Sequence, residues 1–344
     1  MDGYIHCESE ITSTQFHNDI ARHLQKNRLY GDKFTLLFIS DDGKEDISKE
    51  EENIVVLYRT KTRNDFASDY FDQLKTLELG HVLIYMKNIT STMDLVHLLR
   101  PIVSTRMLAI AERQTSGRGR SNTKWESPLG CAMFTFNLEY DLDSPLGQYP
   151  AFLGYLTASS IVRAVQDLTE GVIQLRIKWP NDIFAPDCST KIGGTLHDVI
   201  QNGSGAVIGV GFNVANEKPT VCLNALIDEW NMNNGQKTRQ PITIQQFVSC
   251  FMNHFERFFK LFQNGKREEL LNVYLATWLH QNQTFSNQID ENINPYDVII
   301  RGLDKKGCLF CEKVLDQSEE SISPHGLSMD VVKQIIHKKI SPPS

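Results

Sequence analysis

The chain has few of the features that classify a protein at sight. No apolar run approaches the ~18 consecutive residues of a membrane-spanning helix, so no membrane partner is expected. Positive charge is not in excess: 42 Asp and Glu outweigh 35 Lys and Arg, a formal net charge of −7. That balance argues against an all-over electrostatic grip on nucleic acid, leaving room only for a local basic patch. Cysteine is sparse and unpatterned. Cys7, Cys131, Cys188, Cys222, Cys250, Cys308 and Cys311 form an odd, scattered set of seven, as reduced thiols do. Cys308-Leu-Phe-Cys311 is a lone C-x-x-C with no second Cys or His pair at ligand spacing, so no zinc site is expected. G-x-x-x-x-G-K-[ST], H-E-x-x-H, G-x-S-x-G and the EF-hand loop are all missing. Gly203-Ser-Gly205-Ala-Val-Ile-Gly209 has one residue too many for G-x-G-x-x-G and runs into a strand, which removes the dinucleotide-binding reading.

What is present is material for a core. The 344 residues are 41% hydrophobic, enough for about two or three domains at roughly 100–200 residues each. Most of the charge imbalance sits in Asp41–Glu52, DDGKEDISKEEE, with seven acids and two lysines; this reads as a solvated stretch. The N-terminus carries neither the apolar run of a signal peptide nor the basic face of a transit peptide, so a cytoplasmic location is expected.

Residues 1–75 read weakly, as an N-terminal extension whose only clear strands are Phe34–Ile39 and Ile54–Tyr58. From Gly80 onward apolar segments recur. His81–Tyr85, Met107–Ala111 and Cys131–Leu138 are strand-like; Met93–Leu99 suits a helix with Ser91 or Thr92 as its N-cap. Residues 152, 156, 159, 162 and 165 share a helical face. Ile173 to Trp179 and Ala206 to Val214 alternate as strands. Phe247, Phe251, Phe255, Phe258 and Phe262 form an aromatic stripe, ended by Gly265, and core packing explains it best. After a helical stretch over Arg267–His280, Tyr296–Arg301, Gly307–Cys311 and Glu319–Ile322 suggest a small all-β domain.

Four constellations carry chemistry. Gln114-Thr-Ser-Gly117-Arg118-Gly119-Arg120 with Lys124-Trp125 follows a strand directly. Its glycines let the backbone approach an anion, its arginines are fixed charged forks, and Trp125 offers a flat face; a solvated basic turn fits the same residues. Lys178-Trp-Pro-Asn181-Asp182 ends a strand in a polar turn, an ordinary turn unless other charges lie beside it. Lys191-Ile-Gly193-Gly194 joins a close-approach pair of glycines to a lysine able to meet charge on a carboxylate or phosphate. His197 shares the alternation face of Lys191, Gly193 and Thr195, and a structural histidine is the commoner case. Gly209-Val-Gly211-Phe-Asn213 leaves a trough with an amide at its end, suited to an adenine edge or to a tight sheet crossing.

The order of these motifs, S-T-M-D, then E-R-Q-T-S-G-R-G-R-x4-W, K-W-P-N-D, K-I-G-G and G-x-G-x-N-V, resembles the biotin protein ligases, most closely their holocarboxylase synthetase branch. The resemblance runs from about Phe71 to the C-terminus. It implies an α/β (α+β) fold: a mixed sheet with flanking helices, like the class II aminoacyl-tRNA synthetase catalytic domain, over about 76–275. An SH3-like domain is implied over 276–344. The implied reaction consumes ATP with Mg²⁺, makes biotinyl-5′-AMP, and passes biotin to a lysine of carboxyl-carrier domains of biotin-dependent carboxylases. By resemblance, Ser91, Thr92 and Gln114 contact biotin's rings, Gly117 and Arg118 flank its carboxyl, and Gly193 and Gly194 line its pocket. Gly119, Arg120, Lys124, Trp125, Asn181 and Asn213 serve the nucleotide. Lys178 and Lys191 stabilise charge, and Asp182 orients or deprotonates the incoming lysine. A homodimer is compatible with the family. Ser121, Asn122 and Thr123 replace residues that are basic or glycine in many bacterial members, implying fewer phosphate contacts. No winged helix is read before residue 80, so no DNA partner is expected.

Two other readings compete. Lipoate or octanoate ligases share the fold, but their R-R-x-S-G-G-G loop is missing here. A nucleic-acid-binding regulator built on G-R-G-R needs a wider basic surface than one loop.

Overall fold

The computed structural model describes residues 2–24, 28–30, 35–39, 54–59, 64–120, 123–200, 203–217, 220–235, 239–290, 292–325, 327–330 and 333–338. The acidic stretch 41–52, Phe34, Ser121 and Asn122 lie outside the described residues.

The chain opens with β1 (Asp2–Cys7), α1 (Glu10–Ala21), β2 (Arg28–Tyr30), β3 (Thr35–Ile39), β4 (Ile54–Arg59) and α2 (Asp65–Gln73). Then come β5 (Val82–Ile89), α3 (Thr92–Leu99), β6 (Met107–Gln114), β7 (Cys131–Glu139), α4 (Pro145–Gln148) and α5 (Phe152–Leu168). β8 (Arg176–Lys178), β9 (Asp182–Phe184), β10 (Lys191–Val199) and β11 (Gly205–Asn213) precede α6 (Leu223–Asn233), α7 (Ile244–Gln263) and α8 (Glu268–Thr277). These strands form one mixed sheet in the order β2-β3-β4-β1-β5-β6-β7-β11-β10-β9-β8. β5 and β6 run parallel, whereas β6, β7, β11, β10, β9 and β8 run antiparallel in succession.

The middle strands are buried on both faces, which is why they read as unbroken apolar runs. In β5, Leu83 and Tyr85 enter one core while Val82, Ile84 and Met86 enter the other. α5 and α7 cover the first face. A capping box between Thr243 and Gln246 starts α7, and Gly265, at φ 74°, follows its end. The phenylalanine stripe then meets the sheet. Phe251 and Phe255 pack edge-on against Phe134 and Phe136, and Phe247 stacks on Phe212 with 4.5 Å between centroids. Each such fully buried ring stabilises the fold by ~1.5–3 kcal/mol relative to exposure. α1 and α3 cover the opposite face, where Phe16, Leu95, Val96 and Leu99 pack among Ile84, Ala109 and Val207.

The C-terminal residues form a second sheet from β12 (Thr284–Gln288), β13 (Tyr296–Leu303), β14 (Leu309–Lys313), β15 (Glu319–Ile322), β16 (Leu327–Asp330) and β17 (Ile335–Lys338). Its order is β15-β14-β13-β12-β17-β16. It is seated on the first unit by hydrogen bonds as well as apolar contact. The Tyr155 hydroxyl donates to the Gly307 carbonyl at 2.6 Å, and the Trp179 amide donates to His280 Nε2 at 2.9 Å.

Three elements differ from the sequence reading. Residues 2–59 are less separate than an extension: β1 pairs with β5 on one side and β4 on the other, so four strands continue the same sheet. Only Arg176–Lys178 of the 173–179 strand joins a ladder, because its partner β9 is three residues long and Glu170 and Gly171, at φ 50° and 78°, turn the chain just before. The 267–280 helix stops at Thr277, after which Trp278 bridges to Ile177.

Candidate active site

A polar cavity of about 100 Å³ opens where the N-terminus of α3, the loop after β6 and the strands β9–β11 converge. Its first wall is built from Ser91, Thr92 and Gln114. Ser91 is the N-cap of α3 but makes no side-chain cap bond, and Ser91 and Thr92 are buried. The Thr92 amide and hydroxyl reach Gln114 Oε1 at 2.8 and 3.1 Å, and the same hydroxyl lies 2.8 Å from Thr135 Oγ1. Because a backbone N–H donates to it, Oε1 is the oxygen, and the Gln114 –NH₂ is the end left to donate elsewhere.

The loop over 115–125 folds back on itself. Gly119 N donates to Thr123 O at 2.7 Å and Trp125 N to Gly117 O at 2.9 Å. A side chain at Gly117 would strike Ser127 Oγ and Trp125 O, at 2.7 and 2.8 Å, so the turn requires glycine there. Arg118 Nη2 donates to Asp94 Oδ1 at 2.5 Å. Arg120 is partly buried; desolvation pushes its pKa down, Asp182 opposes that, and Nε has no partner among the described residues. Lys124 reaches the rim, but its exposed ammonium pairs with Glu126 at 3.0 Å.

Charge is organised around Asp182. Lys191 Nζ lies 2.6 Å from Oδ1 and Lys178 Nζ 3.9 Å from Oδ2. The register pairs Gly194 with Asp182, which sets the carboxylate beside the lysine that starts β10. Burial lowers the Lys178 pKa; Asp182 and Asp330 oppose that, while Lys191 and Arg120 add to it. Asn181 is buried. Its Nδ2 donates to the Thr195 carbonyl at 2.5 Å, while Oδ1 has no partner among the described residues.

The trough of β11 is real and filled. A Cβ on Gly209 would lie 2.8 Å from Met93 Sδ, and one on Gly211 2.6 Å from the Trp125 indole. Lys191 Nζ sits 5.4 Å from the centre of the same indole, a cation–π contact.

Three expected pocket residues are placed elsewhere, Gly117 among them, in the turn of its loop and outside the cavity lining. Asn213 is buried at the strand end with its Nδ2 donating to Val221 O at 3.0 Å, outside the cavity lining. Gly193 faces the helix-covered core, where a Cβ would lie 2.6 Å from Phe212 Cδ2; only Gly194 faces the cavity. Lys178 stands behind the lining and acts on it through Asp182. The sequence reading missed Asp94, Met93 and Thr135 as site residues. Asp94 was legible as the last residue of S-T-M-D, with no role attached, and nothing local tied it to Arg118, 24 positions away. No group of three or more His, Cys, Asp or Glu able to hold a metal occurs among the described residues.

Comparison with known proteins identifies the arrangement. Residues 83–213 match the model of the biotin/lipoate A/B protein ligase family. A human biotin–protein ligase is 33% identical over 287 residues, covering 80% of this chain and 38% of the human protein. Biotin–protein ligase 2 of Arabidopsis thaliana is 29% identical over 334 residues, 94% of each chain. This chain thus spans well under half of the human relative and nearly all of the plant one. Among solved structures, a mutant of the Aquifex aeolicus biotin protein ligase in complex with biotin superposes with a TM-score of 0.54 at 19% identity, over 71% of this chain and 95% of that one. Over residues 83–213 the chain thus matches the biotin/lipoate A/B protein ligase family, and the relatives it resembles are biotin protein ligases.

Proposed function

We propose that the chain is an ATP-dependent biotin protein ligase acting in two steps. In the first, a biotin carboxylate oxygen bonds to the α-phosphorus of ATP and pyrophosphate leaves, giving biotinyl-5′-AMP. In the second, the amine of a carrier-domain lysine bonds to the acyl carbon, AMP leaves with the C–O electron pair, and the amine sheds a proton to Asp182. Negative charge grows first on phosphoryl oxygens and then on a tetrahedral oxyanion, so fixed cations and donors should supply most of the rate.

The observation that carries this reading is the convergence of Arg118, Arg120 and the Lys191–Asp182 pair on one cavity, with Lys178 behind Asp182. Biotin's ureido group would lie against Ser91 and Thr92, with the free Gln114 –NH₂ donating to its carbonyl oxygen. Arg118 would exchange Asp94 for the biotin carboxylate. Gly119 and Arg120 would take the phosphates, and Trp125 the adenine face. Binding sites for such ligands usually enclose ~300–1,000 Å³. Against about 100 Å³ here, binding of substrate would widen the cavity. Mg²⁺ would arrive on the phosphates and be held through their oxygens. Acceptors would be carboxyl-carrier domains of biotin-dependent carboxylases.

The test is substrate-dependent exchange of pyrophosphate into ATP. Exchange is expected with biotin and Mg²⁺. Exchange with lipoate alone, or with neither acid in folded protein, refutes the reading.

A further inference from the structure

Beside the site lies a second cavity, of about 310 Å³, between the start of α5 and the turn joining β15 to β16. Leu196 and His197 are neighbours on β10 and therefore point to opposite faces; Leu196 lines the first cavity and His197 the second. Arg120 and Asn181 line both, so they form a common wall. Elsewhere the second cavity is largely apolar, with Leu153, Tyr155, Pro180, Val199 and Pro324 among its walls.

The hydrogen bonds decide what this cavity can accept. His197 Nε2 lies 3.0 Å from Thr157 Oγ1, and that hydroxyl already donates to the Leu153 carbonyl at 2.7 Å. Thr157 can therefore only accept from His197, which places the ring proton on Nε2 and leaves Nδ1 as a bare acceptor. The ring's one hydrogen bond among the described residues is that of Nε2, so Nδ1 is open to the cavity, and the buried Oδ1 of Asn181 has no partner among the described residues. Desolvation, with Arg120 nearby, pushes the His197 pKa down to about 4, so the ring stays neutral near pH 7. Two unmet acceptors in an apolar-walled space suit a ligand that donates N–H from a hydrocarbon stem. Pyrophosphate, which only accepts, suits them poorly. Arg120, Lys178 and Lys191 nearby would favour the uncharged amine over the ammonium, and only the uncharged form is nucleophilic.

We infer that this cavity admits the acceptor lysine, whose amine N–H is held by His197 Nδ1 and Asn181 Oδ1 as its lone pair faces the acyl carbon. This rests on the ligase reading above. His197 binds the amine and takes no proton; the proton released as the C–N bond forms passes to Asp182.

Two substitutions test it. His197→Leu removes the acceptor. Gly154→Leu fills the cavity from α5, where an added Cβ meets its nearest neighbours at an ordinary 3.7 and 3.8 Å. Biotin-dependent pyrophosphate exchange should stay within about twofold of the parent in both, which also reports folding. Transfer from preformed biotinyl-5′-AMP to a carrier domain should fall about three- to tenfold in His197→Leu, the worth of one hydrogen bond, and further in Gly154→Leu. His197→Asn, which returns an acceptor near the Nδ1 position, should recover part of the loss. Unaltered transfer in both variants overturns the inference, and so does exchange falling in step with transfer, since the cavity would then serve the nucleotide. A parent with no biotin-dependent exchange removes the ligase reading and the inference together; intact exchange with unaltered transfer removes the inference alone.

Discussion

Gly193 and Gly194 are neighbours in one motif, and alanine should act on them in opposite ways. At Gly193 the new methyl carbon would stand 2.6 Å from Phe212 Cδ2 and 3.1 Å from the Gly211 carbonyl oxygen. Phe212 is fully buried and stacked on Phe247, so the ring must move by about 1 Å inside a packed core. Overpacking of this kind costs ~1–3 kcal/mol, or a Tm lowered by about 1–4 °C in a protein of this size. At Gly194 the methyl would sit 3.4 Å from Lys191 Cε and Nζ and 3.6 Å from Asp182 Oδ1, on the edge of ordinary contact, so the fold should hold its stability to within about 1 kcal/mol. The methyl instead occupies the floor of the cavity and crowds the Lys191–Asp182 pair. A steric conflict of ~1–3 kcal/mol with bound substrate lowers kcat/KM for biotin about five- to hundredfold. Thermal unfolding and initial rates of biotin-dependent exchange, measured on both variants, separate the two effects. The reasoning is refuted if Gly194→Ala loses stability with normal exchange, if Gly193→Ala loses exchange without losing stability, or if the two behave alike.

Lys191→Ala should depress adenylation far more than it weakens ATP binding, measured as exchange rate against nucleotide affinity; equal losses would mean that the lysine only grips the nucleotide. Lys178, with a pKa held below the usual 10.5 by burial, should lose its charge early, so exchange falls on the alkaline side before an ordinary lysine would titrate. Its charged form is disfavoured in the fold, so this group destabilises below its folded pKa, and the penalty is relieved as pH rises toward 10.5. Lys178→Arg should extend the alkaline plateau; an unmoved pH–rate profile would exclude Lys178 as the titrating group.

The legible parts of this protein are those governed by short-range periodicity. The phenylalanine stripe of α7 follows helical spacing and is buried along its length. HVLIY and MLAIA, apolar without alternation, lie in strands covered on both faces. The cationic motifs were legible because their residue types are costly to bury without an anionic partner, and Arg118, Arg120 and Lys191 do line one cavity. Less was legible where few aliphatic residues mark a strand. β1 reads Asp-Gly-Tyr-Ile-His-Cys, yet it joins β4 to β5. What it lacks in pattern, pairing on both sides supplies.

Taken alone, the sequence determined the motif order, the elements with strong period, and which side chains share a strand face. It placed Gly209, Gly211 and Asn213 on one face but did not show that Met93 and Trp125 lie in the trough, or that Val221 engages the Asn213 amide. It treated Gly193 and Gly194 as equals, whereas one faces Phe212 and the other the cavity. It left His197 a lone strand histidine until Thr157, 40 positions earlier, fixed its tautomer. Alternation is a property of one strand and is set locally. A partner across the sheet, or on a helix laid over it, is chosen by how distant segments close-pack, and only the tertiary structure decides that.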